Sequence, residues 1–287
     1  MTTLPVSGDS QGLPGPEQGP VNLGAPVAAF FDVDNTLIRG ASIYHFARGL
    51  AARNFVGPGD LARMTIRHLA FLLNGAEDAS QVDFVRQAAL AFVAGRSVAD
   101  LVRLGEEIYH ETMASRIWEG TRELTQYHLA AGEQVWLVTA TPVELAQILA
   151  RELGLTGALG TVAEIHDGVY TGRLVGGLLH KEAKATAIRA LAELEGLDLT
   201  RCTAYSDSAN DLPMLNLVGH PNVVNPDRRL RAEAERQGWP VHDFRSGRRA
   251  TAIVFLAAAG AGAIAGGAAA TVAMRRRRLS AQGLGRS

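Results

Sequence analysis

Cysteine is scarce in this sequence of 287 residues, and an excess of positive charge is lacking. Its one cysteine, Cys202, cannot form an internal disulfide, and a small buried hydrophobe is its expected role. The 28 Lys and Arg residues are balanced by 29 Asp and Glu residues, so the formal net charge is -1. Without a basic excess the chain has no general affinity for nucleic acid, and no nucleic-acid partner is expected.

The N-terminal stretch also lacks the marks of a secretion signal. Residues 1–26 contain five prolines but no Lys or Arg, so the basic start and apolar core of a signal peptide are missing. This composition predicts a disordered tail, with the folded body beginning near Val27. Because no export signal precedes that body, we expect it to lie in the cytoplasm.

The first predicted strand ends in two carboxylates. An apolar run over Val27–Val33 indicates a buried strand, and Asp32 and Asp34 lie at its end. Buried carboxylates need a compensating charge, which a divalent cation supplies. A calcium-binding loop does not fit, because it needs Gly at the sixth position and Glu at the twelfth, where this chain has Leu37 and Ile43.

The rest of the chain divides into a helical stretch and a region of alternating strands and helices. Residues 40–118 carry helical periodicity without a strand pattern, which predicts an all-helical insert whose first helix Ser42 could cap. Afterwards buried strands such as Gln134–Thr139 alternate with helices, with Pro142 expected in the first position of the next helix. Asp167-Gly168 marks a two-residue hairpin turn. The predicted fold is therefore α/β: a Rossmann-like parallel sheet with helices on both faces and an inserted all-helical cap.

Polar residues cluster where the predicted strands end or the following helices begin, which is where such sheets bind ligands. The clusters are Asp32 with Asp34, Thr139 with Ala140 and Thr141, Lys184, and Asp207 to Asp211 with Asn210 between them. Together they offer carboxylates for a hard cation, donors for an oxyanion and a lysine to neutralise charge. That set suits phosphoryl transfer, in which positioning and charge stabilisation provide most of the catalysis.

These clusters, in this order, resemble the four sequence motifs of the haloacid dehalogenase (HAD) superfamily. The matching segments are Asp-Val-Asp-Asn-Thr-Leu from Asp32, Val-Thr-Ala-Thr from Val138, Lys184, and Ser-Asp-Ser-Ala-Asn-Asp from Ser206. The helical insert after the first motif is similar to the cap of subfamily IB, which contains the phosphoserine phosphatases. The resemblance implies a catalytic core over residues 27–39 and 119–244, and a helical cap over residues 40–118.

The resemblance implies catalytic roles for three of the matching residues. Asp32 is expected to be the nucleophile that forms an aspartyl-phosphate. Asp34 is expected to act as general acid and then as general base. Lys184 is expected to pair with the nucleophile and the phosphate, and Lys181 is the alternative lysine for that role.

Phosphate and metal ligands follow from the same resemblance. The expected phosphate-binding residues are Thr139, Ala140 and Asn210. The expected cofactor is Mg²⁺, and its expected ligands are Asp32, Asp34 through its carbonyl, Asp207 and Asp211. For Asp211, orienting Lys184 is the alternative to a role in metal binding.

A second unusual feature is an uncharged C-terminal run over residues 250–274, which arginines flank on both sides. A helix of that length spans about 37 Å, enough to cross a bilayer. Twelve of its 25 residues are Ala and four are Gly, so insertion is only weakly favourable. The run predicts a transmembrane helix followed by a basic tail over 275–287, with a soluble tail or a re-entrant hairpin as alternatives. The predicted location is the cell membrane with the catalytic body facing the cytoplasm, and Gly262-x-x-x-Gly266 allows self-association through the helix.

The predicted function is hydrolysis of a phosphomonoester by a membrane-anchored, Mg²⁺-dependent enzyme. A lipid phosphate or lipid precursor is the first substrate hypothesis, because the resembling subgroup includes phosphatidylglycerophosphate phosphatases. A soluble, phosphoserine-like metabolite is the alternative. Against phosphoserine itself, the family's phosphoserine phosphatases carry a glutamate soon after the first motif, and Ile38–Tyr44 contains no acid. A non-catalytic membrane adaptor that binds phosphorylated ligands is the alternative outside the enzymes, although such a protein has no need of the nucleophile Asp32.

Overall fold

The computed structural model describes residues 24–53 and 94–245, and a parallel sheet organises them. The strands in these ranges are β1 (Ala28–Phe31), β2 (Gln134–Pro142), β3 (Gly157–Thr161), β4 (Ala163–His166), β5 (Val169–Leu174), β6 (Thr203–Ser206), β7 (His220–Val224) and β8 (Val241–His242). The large sheet has the order β3-β2-β1-β6-β7-β8, and every neighbouring pair in it is parallel. The predicted α/β fold with a Rossmann-like parallel sheet is confirmed.

Helices cover both faces of this sheet. In the described ranges they are α1 (Ser42–Ala52), α2 (Val98–Ile108), α3 (Glu119–Ala130), α4 (Val143–Glu152), α5 (Glu182–Glu195), α6 (Leu212–Leu215) and α7 (Arg228–Gln237). A π-helical turn over Tyr109–Met113 and a 3-10 turn over Ala114–Arg116 extend α2, and another 3-10 turn over Ala209–Asp211 precedes α6.

The central strand β1 shows why the fold has two layers of helices. All four of its residues are fully buried, and successive side chains alternate between two separate cores. Ala29 and Phe31 belong to the core that α1 to α4 cover, whereas Ala28 and Phe30 belong to the core that α5 to α7 cover. An unbroken apolar strand is thus buried on both faces, as parallel sheets require.

Strand order creates a switch point at the carboxyl end of β1. The chain proceeds outward from β1 through β2 to β3, and then returns to place β6 on the other side of β1. The segment that follows β1 and the segment that follows β6 therefore run in opposite directions, and a crevice lies between them at the carboxyl ends of these two strands. The end of β2 lies on the other side of β1, so all three strand ends contribute to the same edge.

The described parts of the predicted helical insert are α1, α2 and the turns after α2; α1 packs closely on α2, and α2 packs closely on α4. A Cβ atom on Gly49 of α1 would lie 2.5 Å from the Cγ1 atom of Ile108, and one on Gly105 of α2 would lie 2.7 Å from the Cδ1 atom of Ile148. A side chain at Gly49 would press on the branched base of Ile108, whereas one at Gly105 would meet the flexible ends of Ile148 and Leu145. The helices predicted within residues 54–93 lie outside the described residues, and the limits of the cap stay a prediction.

Two local features differ from the sequence prediction. Pro142 is the last residue of β2 and the N-cap of α4, whereas it was expected in the first helical position. Strand β3 was not predicted, because its sequence Gly-Ala-Leu-Gly-Thr has few strand-forming residues. Its Gly160 is explained by close packing, since a Cβ atom there would lie 2.6 Å from the Cα atom of Val143. The predicted Asp167-Gly168 hairpin is confirmed, with positive φ at both residues.

The predicted location at the cell membrane is wrong. Within residues 24–53 and 94–245 no helix is long and apolar enough to cross a bilayer. The predicted transmembrane helix over 250–274, its glycine motif, the basic tail and residues 1–23 of the N-terminal tail lie outside the described residues. The prediction relied on the length of an uncharged run, whereas alanine and glycine contribute little to membrane insertion.

Candidate active site

A buried lysine joins two of the predicted site aspartates at the carboxyl end of the sheet. The Nζ atom of Lys184 donates to Oδ1 of Asp32 over 2.5 Å and to Oδ2 of Asp211 over 2.8 Å. Lys184 lies in the first turn of α5, Asp32 directly follows β1, and Asp211 ends the 3-10 turn after β6. The side chains are 4%, 9% and 3% exposed respectively, so this ion-pair network is shielded from water.

Burial and charge oppose each other in this network. Burial raises the pKa of Asp32 to about 7 against the opposing charge of Lys184, and the negative charges of Asp211 and Asp34 add to the rise. Burial disfavours the charge of Lys184, but its two carboxylate partners outweigh this and hold the pKa of Lys184 above its ordinary value. Lys184 therefore stays cationic, and any further positive charge near Asp32 favours the ionised, nucleophilic carboxylate.

Asp207 presents the opposite situation. It follows β6 directly, and among the residues that the structure describes its carboxylate has no hydrogen bond and no ion pair. Burial raises the pKa of Asp207 to about 8, and the charges of Asp32 and Asp211 add to the rise. A carboxylate held near two others without a cation of its own favours binding of a positive ion.

The fourth acid, Asp34, is held by the beginning of α1. Both the backbone N–H and the hydroxyl of Ser42 donate to Oδ1 of Asp34, over 2.7 Å and 2.5 Å. The Ser42 hydroxyl also lies 2.7 Å from the hydroxyl of Thr141. Burial raises the pKa of Asp34, and the two hydrogen bonds from Ser42 oppose that rise.

The predicted phosphate-binding residues occupy different surroundings. Thr139 is buried in β2 beside the end of β1, where its hydroxyl accepts from the backbone N–H of Thr141 over 3.1 Å. The carbonyl of Ala140 accepts from the Thr161 hydroxyl over 2.7 Å. Asn210 is exposed, on the 3-10 turn that carries Asp211.

The donor set fits a magnesium ion with few protein ligands. Among the described residues no group of three or more His, Cys, Asp or Glu side chains could hold a metal ion by itself. Mg²⁺ commonly binds one or two carboxylates and completes its octahedron with waters and substrate oxygens. The partly buried carboxylate of Asp207, which has no hydrogen bond or ion pair among the described residues, and the carboxylate of Asp32 are the two candidate ligands. The Asp211 carboxylate differs, because its Oδ2 atom is already engaged by Lys184 and by the Ser206 hydroxyl at 2.8 Å.

Sequence reasoning missed the contacts of three hydroxyl residues at this site: Ser42, Thr141 and Ser206. A signal existed for Ser206, since a serine ends the buried strand β6 immediately before Asp207. Thr141 was assigned to the second cluster, but its contact with Ser42 was not predicted. Ser42 was interpreted as a helix cap, whereas Ala41 is the N-cap of α1 and the Ser42 side chain faces Asp34 instead.

Comparisons with known proteins show the family to which this chain belongs. A family model described as haloacid dehalogenase-like hydrolase matches residues 29–216, a range that contains every predicted site residue. Phosphoserine phosphatase SerB1 of Mycobacterium tuberculosis is 58% identical over 246 residues, which are 86% of this chain and 79% of that protein. Histidinol-phosphatase of Neisseria meningitidis is 32% identical over 221 residues, which are 76% of this chain and 98% of that protein.

A solved structure extends the likeness to three dimensions. A protein of unknown function from Bordetella pertussis Tohama I has a TM-score of 0.69 to this chain at 31% sequence identity, covering 77% of this chain and 99% of that one. The two named relatives are phosphatases of small metabolites by name, and these likenesses also count against the predicted membrane location.

Proposed function

Because the chain belongs to the haloacid dehalogenase-like hydrolase family and is a phosphatase of that family, we propose that it uses Mg²⁺ and an aspartyl-phosphate on Asp32 to hydrolyse a small phosphorylated metabolite. The observation that carries this proposal is the buried contact of Lys184 with both Asp32 and Asp211. A lysine held there neutralises the nucleophile and a phosphoryl group next to it. The adaptor hypothesis is dropped, since it leaves this arrangement without a purpose.

The first half of the reaction follows from the positions of Asp32 and Asp34. A carboxylate oxygen of Asp32 attacks phosphorus, the phosphorus–oxygen bond to the alcohol breaks, and the carboxyl of Asp34 gives its proton to the departing oxygen. The Oδ1 atom of Asp32 is bound by Lys184, so Oδ2 is the free oxygen on the side away from the lysine. The product of this half is the aspartyl-phosphate and the free alcohol.

The second half returns the protein to its starting state. The Asp34 carboxylate takes a proton from water, the water oxygen attacks phosphorus, and the bond to Asp32 breaks to release phosphate. Thr139 and the backbone beyond it, at the beginning of α4, would donate to the phosphoryl oxygens. Asp32, Asp207 and the carbonyl of Asp34 would hold Mg²⁺, which neutralises charge on the transferring group.

The substrate class is proposed from the names of the relatives and their shared chemistry. Phosphoserine and histidinol phosphate are both phosphate esters of a primary alcohol that carries an amine on the adjacent carbon. We propose a substrate of this class for the present chain. No acid lies in Ile38–Tyr44 to meet the amine, so recognition of that group would come from elsewhere in the molecule.

A phosphate-release assay tests the proposal. The purified full chain is incubated with phosphoserine, histidinol phosphate and a dispersed lipid phosphomonoester, with Mg²⁺ or with a chelator. We expect Mg²⁺-dependent release from a small amino-alcohol phosphate, and a loss of at least about 1000-fold in the Asp32→Asn variant. The matched control is Asp167→Asn at the exposed hairpin turn, where positive φ suits asparagine.

Three outcomes would contradict the proposal. Release that survives Asp32→Asn would exclude the covalent mechanism. Release that is unaffected by the chelator would exclude the metal. A preference for the lipid ester over both amino-alcohol phosphates would exclude the proposed substrate class.

A further inference from the structure

Ser42 makes a contact with the proposed general acid that the motifs of the sequence do not include. It is fully buried, and its hydroxyl and backbone N–H both donate to the same oxygen, Oδ1 of Asp34. Ser42 is the first residue of α1, eight positions after Asp34. One residue at a helix start therefore engages one carboxylate oxygen twice.

The direction of the hydrogen bonds follows from counting protons. A serine hydroxyl has a single proton, and at Ser42 that proton points to Asp34. In the contact between Ser42 and Thr141 the donor is therefore the Thr141 hydroxyl, over 2.7 Å. Thr141 donates to Ser42, and Ser42 donates to Asp34. Chains of this kind strengthen each member, and burial excludes water that would compete.

This arrangement distinguishes the two oxygens of the Asp34 carboxyl. Oδ1 accepts two hydrogen bonds, so a proton on Oδ1 would displace two donors. The proton of the acid form therefore belongs on Oδ2, the oxygen that Ser42 leaves free. Rotation of the carboxyl is also restrained, because Oδ1 is fixed from both the backbone and the side chain of one residue.

We propose that Ser42, supported by Thr141, is a positioning residue that directs the acidic proton of Asp34 toward the departing alcohol. The inference rests on the proposed function, in which Asp34 protonates that oxygen. It also links the acid to the first helix of the helical insert, because the two donors are the first backbone N–H and the first side chain of α1.

Leaving groups of different basicity provide the test. An alkyl alkoxide needs a proton as it departs, whereas p-nitrophenolate departs without one, so only the alkyl ester depends on a well-placed acid. In Ser42→Ala we expect kcat/KM for the best amino-alcohol phosphate to fall by about 10- to 100-fold. For p-nitrophenyl phosphate we expect a change of less than about threefold.

Two further variants complete the design. Ser42→Thr keeps the hydroxyl and should retain both activities within about threefold. Thr141→Val keeps both donors of Ser42 and removes only their support, so it should show a smaller loss that is again confined to the alkyl ester. Thermal unfolding of each variant separates altered chemistry from failure to fold. If Ser42→Ala does not fold, Thr141→Val still provides the comparison of leaving groups.

The results divide cleanly between the two proposals. Equal losses on both esters, or no loss on the alkyl ester, would overturn the positioning role of Ser42. In either case the wild-type activity would still respond to Asp32→Asn. Wild-type turnover that ignores Asp32→Asn would instead overturn the proposed function itself.

Discussion

The two sides of the site differ in how the protein handles buried charge. On the lysine side, comprising Lys184, Asp211 and Ser206, every polar group has a partner within the protein. On the open side, the carboxylate of Asp207 has none among the residues that the structure describes. The protein supplies its own cation for one side, and under the proposed function a cation from solution would neutralise the other.

This difference separates permanent structure from binding capacity. A buried ion pair that is fully hydrogen-bonded fixes geometry before the substrate arrives, although it contributes little net stability. A buried carboxylate without a partner costs free energy until it is neutralised, and that cost favours whatever neutralises it. The lysine side should therefore tolerate the absence of metal, and the open side should not.

The largest expected effect comes from removing the lysine. Lys184→Met leaves Asp32 and Asp211 buried without a cation, so the free energy of unfolding should fall by about 3–5 kcal/mol. Carboxyls whose pKa is raised in the folded state destabilise it as pH rises, so the deficit should be larger at pH 8 than at pH 5. Urea unfolding at the two pH values, followed by circular dichroism, measures it.

Lys181 provides the matched control for this substitution. It is the residue before α5, with φ of 52°, and it lies outside the ion-pair network. Lys181→Met should change stability by less than about 0.5 kcal/mol. Equal destabilisation by the two variants would show that the Lys184 network has no special role.

The next effect has the opposite sign and concerns the open side. In metal-free buffer, Asp207→Asn should stabilise the protein, because asparagine carries no charge that must be desolvated. The pKa of Asp207 is raised from 3.8 to about 8, so the folded state binds its proton more tightly and wild-type stability falls as pH rises between these values. The gain from Asp207→Asn should therefore grow from pH 5 to pH 8.

Adding Mg²⁺ should make the wild type more stable than the Asp207→Asn variant. Mg²⁺ at ten times its dissociation constant for the wild type adds about 1.4 kcal/mol to the free energy of unfolding of the wild type. The Asp207→Asn variant should gain much less. Thermal unfolding with and without Mg²⁺ makes the measurement, and Asp167→Asn is again the control. If Mg²⁺ stabilised Asp207→Asn as much as the wild type, the proposed metal site would be misplaced.

The sequence alone predicted which acids lie at the site, because their positions depend on where the strands end. The carboxylates Asp32 and Asp207 follow buried strands, and parallel strands bring their carboxyl ends to one edge. The choice between Lys184 and Lys181 needed the structure. It depends on where α5 begins: Glu182 is the first helical residue, which places Lys184 in the first turn, facing the strand ends.

The partners of the acids could not be predicted in the same way. Thr141 and Ser42 are 99 positions apart in sequence, and nothing in their neighbourhoods marks them as a pair. A serine at a helix start also satisfies the simpler interpretation as a cap, so its true partner Asp34 was overlooked. The charged site residues could be predicted because burying a charge is costly and therefore indicates a partner or a ligand. A hydroxyl can be buried with many different partners, so its partner could not be predicted.

Ser206 tests the smallest part of the comparison. Its hydroxyl donates to Oδ2 of Asp211, the oxygen that Lys184 also binds, and Ser206 is fully buried. Ser206→Ala should lower the free energy of unfolding by about 1–2 kcal/mol, since Asp211 loses one donor but keeps the lysine. Urea unfolding compares it with Ser115→Ala at an exposed position. A loss as large as that of Lys184→Met would mean that the hydroxyl, and not the ammonium group, holds Asp211 in place.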